Sequence, residues 1–342
     1  METNKHWSRT FVYAAAHMVV DFACVFLMFR SAASTPDWHL CVLLYNFCAF
    51  ALQMPLGVLA DRWNHNAAFA ALGCALVAVA YALFRFPVAA AVAVGVGNGM
   101  FHVGGGLDML NISRQKSSAL GVFVSPGAFG VYFGTLLGRG GILPTAPVLL
   151  TVLVAMTLIL VLWRIKSEAY PPNAPFSVTV PSKRLLTPAL VLFVVVCLRS
   201  YMGLALTFPW KGVGSWGLVL VCAVVAGKTA GGFLADRFGA QATACASLTL
   251  CTALLLLSHI PAAGVLAMLL FNMTMPITLW AMARIFPGAK GFGFGLLTFA
   301  LFLGYLPVHF GIGTGLVGVW PAILAIASLA LLWLGLRGQK HE

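Results

Sequence analysis

The stretch GVLADR at residues 57–62 recurs as GFLADR at residues 232–237, 175 residues further along the chain. Each copy follows a long apolar run, and the spacing is about half of the 342-residue length. The repeat therefore predicts two halves of similar structure in parallel orientation.

The composition identifies the solvent of this chain. Hydrophobic residues make up 61% of the sequence and charged residues 8%, whereas a soluble domain carries roughly 25% charged residues. Because so few charges cannot cover a globular surface, lipid must surround the chain. In lipid every backbone polar group is paired within the protein, and the long, non-alternating apolar runs favour helices over a closed barrel. We expect an all-α membrane protein without a soluble domain.

Twelve apolar runs predict twelve transmembrane helices in two pseudo-symmetric six-helix halves. The predicted halves are residues 1–163 and 187–342, joined by a cytoplasmic linker at 164–186 that holds four basic residues and four prolines. The predicted spans are 10–30, 38–59, 66–84, 88–110, 117–138, 145–163, 187–208, 212–234, 241–259, 262–284, 290–310 and 314–336.

The net charge of +12 reflects topology rather than nucleic-acid binding, because the basic residues lie singly or in pairs between apolar runs. With the N-terminus inside, fourteen Lys and Arg fall on the cytoplasmic side and four on the other. Cytoplasmic loops carry this excess, so both termini are expected in the cytoplasm of a multi-pass inner-membrane protein. The N-terminus leads into a full span without a cleavage site, so we expect a retained first helix.

The eight cysteines lie in or beside apolar spans without a CxxC pair, which favours packing over a disulfide framework or zinc site. No cofactor or metal is expected.

The two repeated stretches resemble the signature loop G-x-L-A-D-R of the major facilitator superfamily, which lies after the second and eighth helices. The resemblance covers the whole chain and implies a transporter of that fold. It also implies a conformational latch, in which glycine permits close helix approach, Asp meets a helix end and Arg stays at headgroup level. The match decays after Asp-Arg, where Asn64 replaces a glycine and tolerates the left-handed conformation. The latch residues would be Gly57, Asp61, Arg62, Gly232, Asp236 and Arg237.

Residues 121–130, GVFVSPGAFG, resemble the antiporter signature G-x-x-x-G-P-x-x-G-G of the same superfamily, with Ser125 and Phe129 in place of two glycines. Gly121, Pro126 and Gly130 would then form an interface helix that packs tightly and bends. The alternative is ordinary close packing in a glycine-rich bundle.

His17-x-x-x-Asp21 in span one and Phe101-His102 in span four resemble the fosmidomycin-resistance-like branch. Val103 stands where that branch has proline. The resemblance implies proton-driven export of a small, often anionic compound.

Ionisable groups at membrane depth are costly and are therefore functional candidates. His17 and Asp21 lie one turn apart on one helix face, and such a pair can exchange protons near physiological pH. The alternative is a structural hydrogen bond between helices. Asn98 and His102 share a face of span four, which predicts proton coupling through His17, Asp21 and His102. Asp108 is expected nearer the cytoplasmic end, paired with Arg62 in the latch.

The second half places cations inside its spans. Arg199 cannot lose its proton, so we expect it either to reach Asp21 or to bind a substrate anion. Lys228 either contacts substrate or extends to the membrane surface. Asn272 and Trp280 add a polar group and an aromatic wall, so the predicted substrate residues are Arg199, Lys228, Asn98, Asn272 and Trp280.

These residues predict a secondary transporter that moves a small, anionic organic solute, a metabolite or antimicrobial, by proton-coupled antiport. Proton symport or facilitated uptake is the first alternative. A membrane enzyme is the second, although the chain lacks HExxH, GxSxG and a P-loop. A channel would need a filter motif or pore rings, which are not found. The expected partners are the small-molecule substrate, protons and the bilayer, with no nucleic acid, and the protein is expected to be a monomer.

Overall fold

The computed structural model describes residues 2–113, 116–141, 143–165, 175–178 and 183–337. These residues form twelve helical segments joined by short connections. The helices are α1 (Glu2–Ser31), α2 (Trp38–Trp63), α3 (Asn66–Leu83), α4 (Pro87–Ile112), α5 (Ser118–Gly140), α6 (Thr145–Arg164), α7 (Leu186–Ala205), α8 (Trp216–Phe238), α9 (Ala240–Leu256), α10 (Pro261–Ile285), α11 (Lys290–His309) and α12 (Trp320–Leu336).

The all-α membrane architecture is confirmed in the described residues. Ten of the helices are long and apolar enough to cross a bilayer, and α9 and α12 are apolar but shorter, at 17 residues each. The only β pairing among the described ranges is one isolated bridge between Leu206 and Leu316. The chain is a multi-pass integral membrane protein.

The prediction for the start of α12 is wrong by several residues. The predicted span began at 314, but the helix begins at Trp320. Glycines 311, 313, 315 and 318 have positive φ angles, which a right-handed helix does not accept. Apolar composition alone therefore overestimated the span.

The signature residues were expected in loops, but Asp61 and Asp236 lie in the last turns of α2 and α8. Each helix continues until a residue with positive φ ends it, Asn64 at 55° and Gly239 at 90°. The left-handed conformation expected for Asn64 is confirmed.

Unit 1 consists of Met1–Arg114, Pro126–Ser177 and Gly288–Phe299. Within it α1 packs against α4, α6 and the second part of α5, while α3 packs against α4 and α6. The contact between α3 and α4 is close because Cβ atoms at Gly97 and Gly104 would overlap the backbone of α3. Tyr13, Phe69 and Phe101 are buried in this core.

Unit 2 consists of Gln115–Ser125, Val178–Pro287 and Ala300–Glu342. Here α9 packs against α10 and α12, α7 packs against α12, and α8 packs against α10 and the first part of α5. Leu192, Leu248 and Met282 are buried between these helices.

Two of the boundaries between the units fall inside helices, in α5 at Ser125–Pro126 and in α11 after Phe299. The predicted division at the 164–186 linker stays a prediction, since most of that linker lies outside the described residues. Within α5 the helix is interrupted at Ser125 and Pro126, because proline cannot donate a backbone hydrogen bond.

Candidate functional site

A cluster of four polar side chains joins α1 to α4 in unit 1. His17 Nε2 lies 3.2 Å from Asp21 Oδ2, one helical turn along α1. From α4, Asn98 Nδ2 donates to Asp21 Oδ1 at 2.9 Å, and His102 Nε2 lies 2.8 Å from His17 Nε2. His102 Nε2 is also 3.6 Å from Asp21 Oδ1. The four predicted residues His17, Asp21, Asn98 and His102 therefore form one connected cluster.

The hydrogen bonds of the cluster fix where its protons can lie. His102 Nδ1 is 2.9 Å from the carbonyl oxygen of Asn98, and a carbonyl only accepts, so Nδ1 carries a proton. Neutral His102 therefore presents a bare Nε2, which accepts a proton from His17 Nε2. The 2.8 Å gap between the two nitrogens holds one hydrogen and not two. A further proton therefore binds outside this gap, at Asp21 or at Nδ1 of His17.

Most of the cluster is buried, but two of its side chains remain partly exposed. His17 and Asn98 are buried, while the side chains of Asp21 and His102 keep 14% and 13% of their exposure. The second part of α5 covers α1 at this level, because a Cβ at Gly127 would overlap His17 Nε2 and one at Gly130 would overlap the Met18 carbonyl. Close contact with α1 therefore requires small residues at Gly127 and Gly130, which both lie in the predicted interface helix at residues 121–130.

Asp108 belongs to a different hydrogen-bond network. Its carboxylate accepts from the hydroxyl of Tyr13 at 2.6 Å and from Asn66 Nδ2 at 3.0 Å. The expected pair with Arg62 does not form, because the Arg62 guanidinium lies 4.9 Å from the ring centroid of Phe176. A buried carboxylate needs hydrogen-bond donors at close range, and two neutral donors inside the bundle supply them.

Arg199 is a buried cation in unit 2. Its side chain is 9% exposed, and Nη1 donates to the hydroxyl of Thr278 on α10 at 3.2 Å. No carboxylate lies within 4 Å of this guanidinium among the described residues. A guanidinium has five N–H donors, so one neutral acceptor leaves most of that capacity for other groups.

Lys228 and the first part of α5 meet in unit 2. The Lys228 ammonium donates to the carbonyl oxygen of Val124 at 3.2 Å, and the hydroxyl of Thr229 lies 2.8 Å from that of Ser125. A Cβ at Gly121 would overlap the carbonyl of Lys228. Lys228 therefore turns toward α5 and is half-buried rather than extended to the surface.

Asn272 and Trp280 lie apart from Arg199. The amide of Asn272 donates to the Met268 carbonyl of its own helix at 2.8 Å. Trp280 is two residues beyond Thr278, and residues two apart on a helix do not share a face. Its ring instead lies 5.0 Å from the guanidinium carbon of Arg284. The structure does not bring either residue to Arg199.

The first signature segment contacts the start of α11 within unit 1. A Cβ at Gly57 would overlap the carbonyl of Gly291, so glycine permits the close approach. One turn later, the Asp61 carboxylate accepts from the backbone N–H groups of Gly291 and Phe292, both at 2.9 Å. A carboxylate at a helix N-terminus is stabilised by its free N–H groups and by the helix dipole.

The second signature segment makes the same arrangement with the start of α5 within unit 2. A Cβ at Gly232 would overlap the Ser117 carbonyl. Asp236 accepts from the N–H of Ser117 at 2.7 Å, from its hydroxyl at 2.8 Å and from the N–H of Ser118 at 3.0 Å. The internal repeat in sequence is thus a repeat in structure. Arg237 lies near the ring of Phe238, at 5.3 Å.

Sequence reasoning missed Tyr13, Asn66, Thr278 and Phe176 as partners of the predicted residues. Tyr13 carried a usable signal, since it lies one turn before His17 on the same face of α1. Thr278 and Phe176 carried none, because their contacts join positions 79 residues and more than 100 residues apart.

No protein-family model and no curated protein sequence matches this chain. Solved structures do. The chain is similar to a point variant of the Escherichia coli fucose:proton symporter FucP, with a TM-score of 0.68, 11% identity, and coverage of 98% of this chain and 100% of that one. It is also similar to the major facilitator transporter FucP in the outward conformation, with a TM-score of 0.65, 12% identity, and coverage of 97% and 99%. These matches show the major facilitator fold over 97–98% of the chain.

Proposed function

We propose that this chain is a secondary active transporter that moves a small organic anion across the cytoplasmic membrane by alternating access, in exchange for protons. The observation that carries the proposal is the cluster of His17, Asp21, Asn98 and His102. It places an acid and two imidazoles within hydrogen-bonding distance of one another at membrane depth, and imidazole is the side chain that serves most often as a proton carrier.

Proton loading would change the charge of the cluster by one. With Asp21 ionised and both imidazoles neutral, the cluster carries a single negative charge, and one added proton neutralises it. Because the Nε2 atoms of His17 and His102 are 2.8 Å apart, the added proton cannot simply enter between them. It binds either Asp21 or Nδ1 of His17. On Asp21 it weakens the hydrogen bond that the carboxylate accepts from Asn98 Nδ2, so loading changes a contact between α1 and α4. Such a change is the local event that coupling requires.

The anionic character of the substrate is inferred from Arg199. Its buried guanidinium has a neutral hydroxyl as its partner, and a planar donor fork matches a carboxylate or phosphonate. Lys228 adds a second cation in the same unit. The resemblance of His17-x-x-x-Asp21 and Phe101-His102 to the fosmidomycin-resistance-like branch supports export as the direction, as does the match of residues 121–130 to the antiporter signature.

Proton symport is the second candidate. It is favoured by the likeness to a fucose:proton symporter, and an acid–histidine cluster serves import as well as export. The sign of the coupled proton movement distinguishes the two: the anion and the proton cross in opposite directions in antiport and together in symport.

The test uses purified protein in liposomes that enclose a pH-sensitive dye. Small carboxylates, phosphonates and antimicrobial anions are added under an imposed pH gradient, and proton movement is recorded for the wild type and for Asp21→Asn. We expect one compound class to drive proton flux in the wild type and none to do so in the variant.

The matched control is Asp37→Asn, which removes an exposed acid between α1 and α2 and should leave the flux unchanged. Substrate movement without proton flux, equal in the wild type and in Asp21→Asn, would reduce the cluster to a structural tie and leave a uniporter. Transport restricted to cations would refute the anion assignment.

A further inference from the structure

A cavity of about 740 Å³ lies within unit 2, beside the second signature segment. It is bounded by the end of α8, the start of α9, the end of α12 and the residues that precede α5. This end of the helices is the one that the count of Lys and Arg predicts to be cytoplasmic. The proposed transport function does not use this cavity.

The polar side of the cavity is positively charged. Lys116 and Arg237 line it, and both are exposed. Asp236 also lines it, but both of its oxygens already accept hydrogen bonds from Ser117 and Ser118. The carboxylate is held by the start of α5, and the cavity lining carries two cations against one acid.

The remaining wall is apolar. The ring of Trp280, the side chain of Leu336 and the half-buried Cys245 face the cavity. The guanidinium carbon of Arg284 lies 5.0 Å from the centroid of the Trp280 ring. The ligand that fits both walls carries an anionic group at one end and hydrocarbon at the other.

The equivalent position in unit 1 is occupied by the chain itself. The Arg62 guanidinium lies over the ring of Phe176, and the next residue, Ser177, donates its N–H to the Gly288 carbonyl at 3.0 Å. Residues 175–178 thus lie against the first signature segment. Within the described part of unit 2, the arginine of the second segment has only its helical neighbour Phe238 as an aromatic contact.

We propose that the cavity of unit 2 binds an anionic phospholipid, with the phosphate between Lys116 and Arg237 and an acyl chain along Trp280 and Leu336. Basic pockets between transmembrane helices at the headgroup level recognise such lipids by charge. Cationic side chains also form the strong, charge-assisted hydrogen bonds that phosphate oxygens accept.

The experiment is a titration of the purified full-length chain with phosphatidylglycerol in detergent, read by native mass spectrometry. We expect one phosphatidylglycerol per chain and much weaker retention of phosphatidylcholine. Replacing both Lys116→Gln and Arg237→Gln should weaken phosphatidylglycerol binding roughly thirtyfold, because each cation near a headgroup contributes on the order of a fivefold factor.

The matched control removes two cations at the same end of unit 1, Arg62→Gln with Arg164→Gln, and should leave binding unchanged. Because a double variant can fail to fold, Cys245→Trp is tested beside it. This substitution fills the cavity without changing charge and should also abolish retention, with thermal unfolding as the check on folding.

Equal retention of the two lipids, or unchanged retention in both cavity variants, would overturn the proposal. Competition with glycerol 3-phosphate distinguishes a lipid headgroup from a soluble phosphate as the ligand. If glycerol 3-phosphate displaces phosphatidylglycerol at equal concentration, the site recognises a soluble phosphate and the lipid assignment fails.

Discussion

The two units hold their membrane-depth charges in opposite ways. In unit 1, Asp21 has His17, His102 and Asn98 as close partners from α1 and α4. In unit 2, Arg199 has the hydroxyl of Thr278. The acid has two imidazoles and an amide as partners, whereas the guanidinium places one of its five N–H donors on a neutral hydroxyl. Under the proposed function, unit 1 binds the coupled proton and unit 2 binds the substrate anion.

Among the comparisons of the two units, the largest expected effect comes from replacing His102 in unit 1. Gln at position 102 can hydrogen bond but cannot carry a proton, so His102→Gln should lower substrate-driven proton flux by roughly a hundredfold, as losses of positioned acid–base groups do. The measurement is dye-reported proton flux in liposomes at several pH values.

Tyr13→Phe is the control for that change, because it alters the neighbouring network of α1 and α4. It removes the hydroxyl that donates to Asp108 at 2.6 Å and should leave the pH profile of transport in place. If both variants lose flux equally, α1 acts as one structural unit and the distinction between the two networks fails.

The next effect concerns Arg199 in unit 2. Arg199→Ala should raise the substrate concentration for half-maximal transport by roughly 10- to 100-fold, the value of a hydrogen bond to a charged group. Arg199→Lys keeps the charge and loses the fork, so its effect should be intermediate. Lys211→Gln, at an exposed position in the connection between α7 and α8, is the control. Half-saturation that is unchanged in Arg199→Ala would place the anion elsewhere.

The two units are alike at their signature segments, and one variant in each segment tests this likeness. Asp61→Asn should accelerate hydrogen exchange at Gly291 and Phe292, and Asp236→Asn should do the same at Ser117 and Ser118. The expected factor is about two- to fivefold in each, since a charge at a helix N-terminus contributes roughly 0.3–1 kcal/mol.

Hydrogen–deuterium exchange with peptide resolution distinguishes the two segments. Each variant should affect only its own helix start. If either single variant accelerated exchange at the starts of both α5 and α11, the two aspartate–helix contacts would open together. Unchanged exchange would contradict the latch role.

The fold was predictable because its signals are local. Length and apolar composition identify each span, and the repeat of residues 57–62 at 232–237 relates the halves. The cluster was partly predictable for the same reason, since His17 and Asp21, like Asn98 and His102, are four residues apart on a helix. That the two pairs meet at 2.8–2.9 Å follows from how α1 packs on α4, which one sequence does not specify.

The unexpected contacts have the same physical origin. Trp280, predicted as an aromatic wall of the substrate site, lies beside Arg284, because the helix face decides its surroundings. Its role in substrate binding stays a prediction. Asp108 was expected to pair with Arg62 by opposite charge, yet its carboxylate accepts hydrogen bonds from Tyr13 and Asn66. Charge complementarity predicts partners poorly where neutral donors are available.

The smallest expected effect lies at the point where the two signature segments differ. Phe176→Ala removes the ring beneath Arg62 and should lower the free energy of unfolding by about 0.5–1 kcal/mol, the range for an exposed cation–π contact. Phe238→Ala, beside Arg237, should cost less because its ring is exposed and adjacent in the helix. Thermal unfolding in detergent measures both.

Phe176→Ala also uncovers the arginine of the first signature segment, Arg62, so this variant should retain a second phosphatidylglycerol per chain, whereas Phe238→Ala should retain one. A single lipid in both variants would show that the apolar wall of Trp280 and Leu336, and not an uncovered arginine, makes unit 2 receptive.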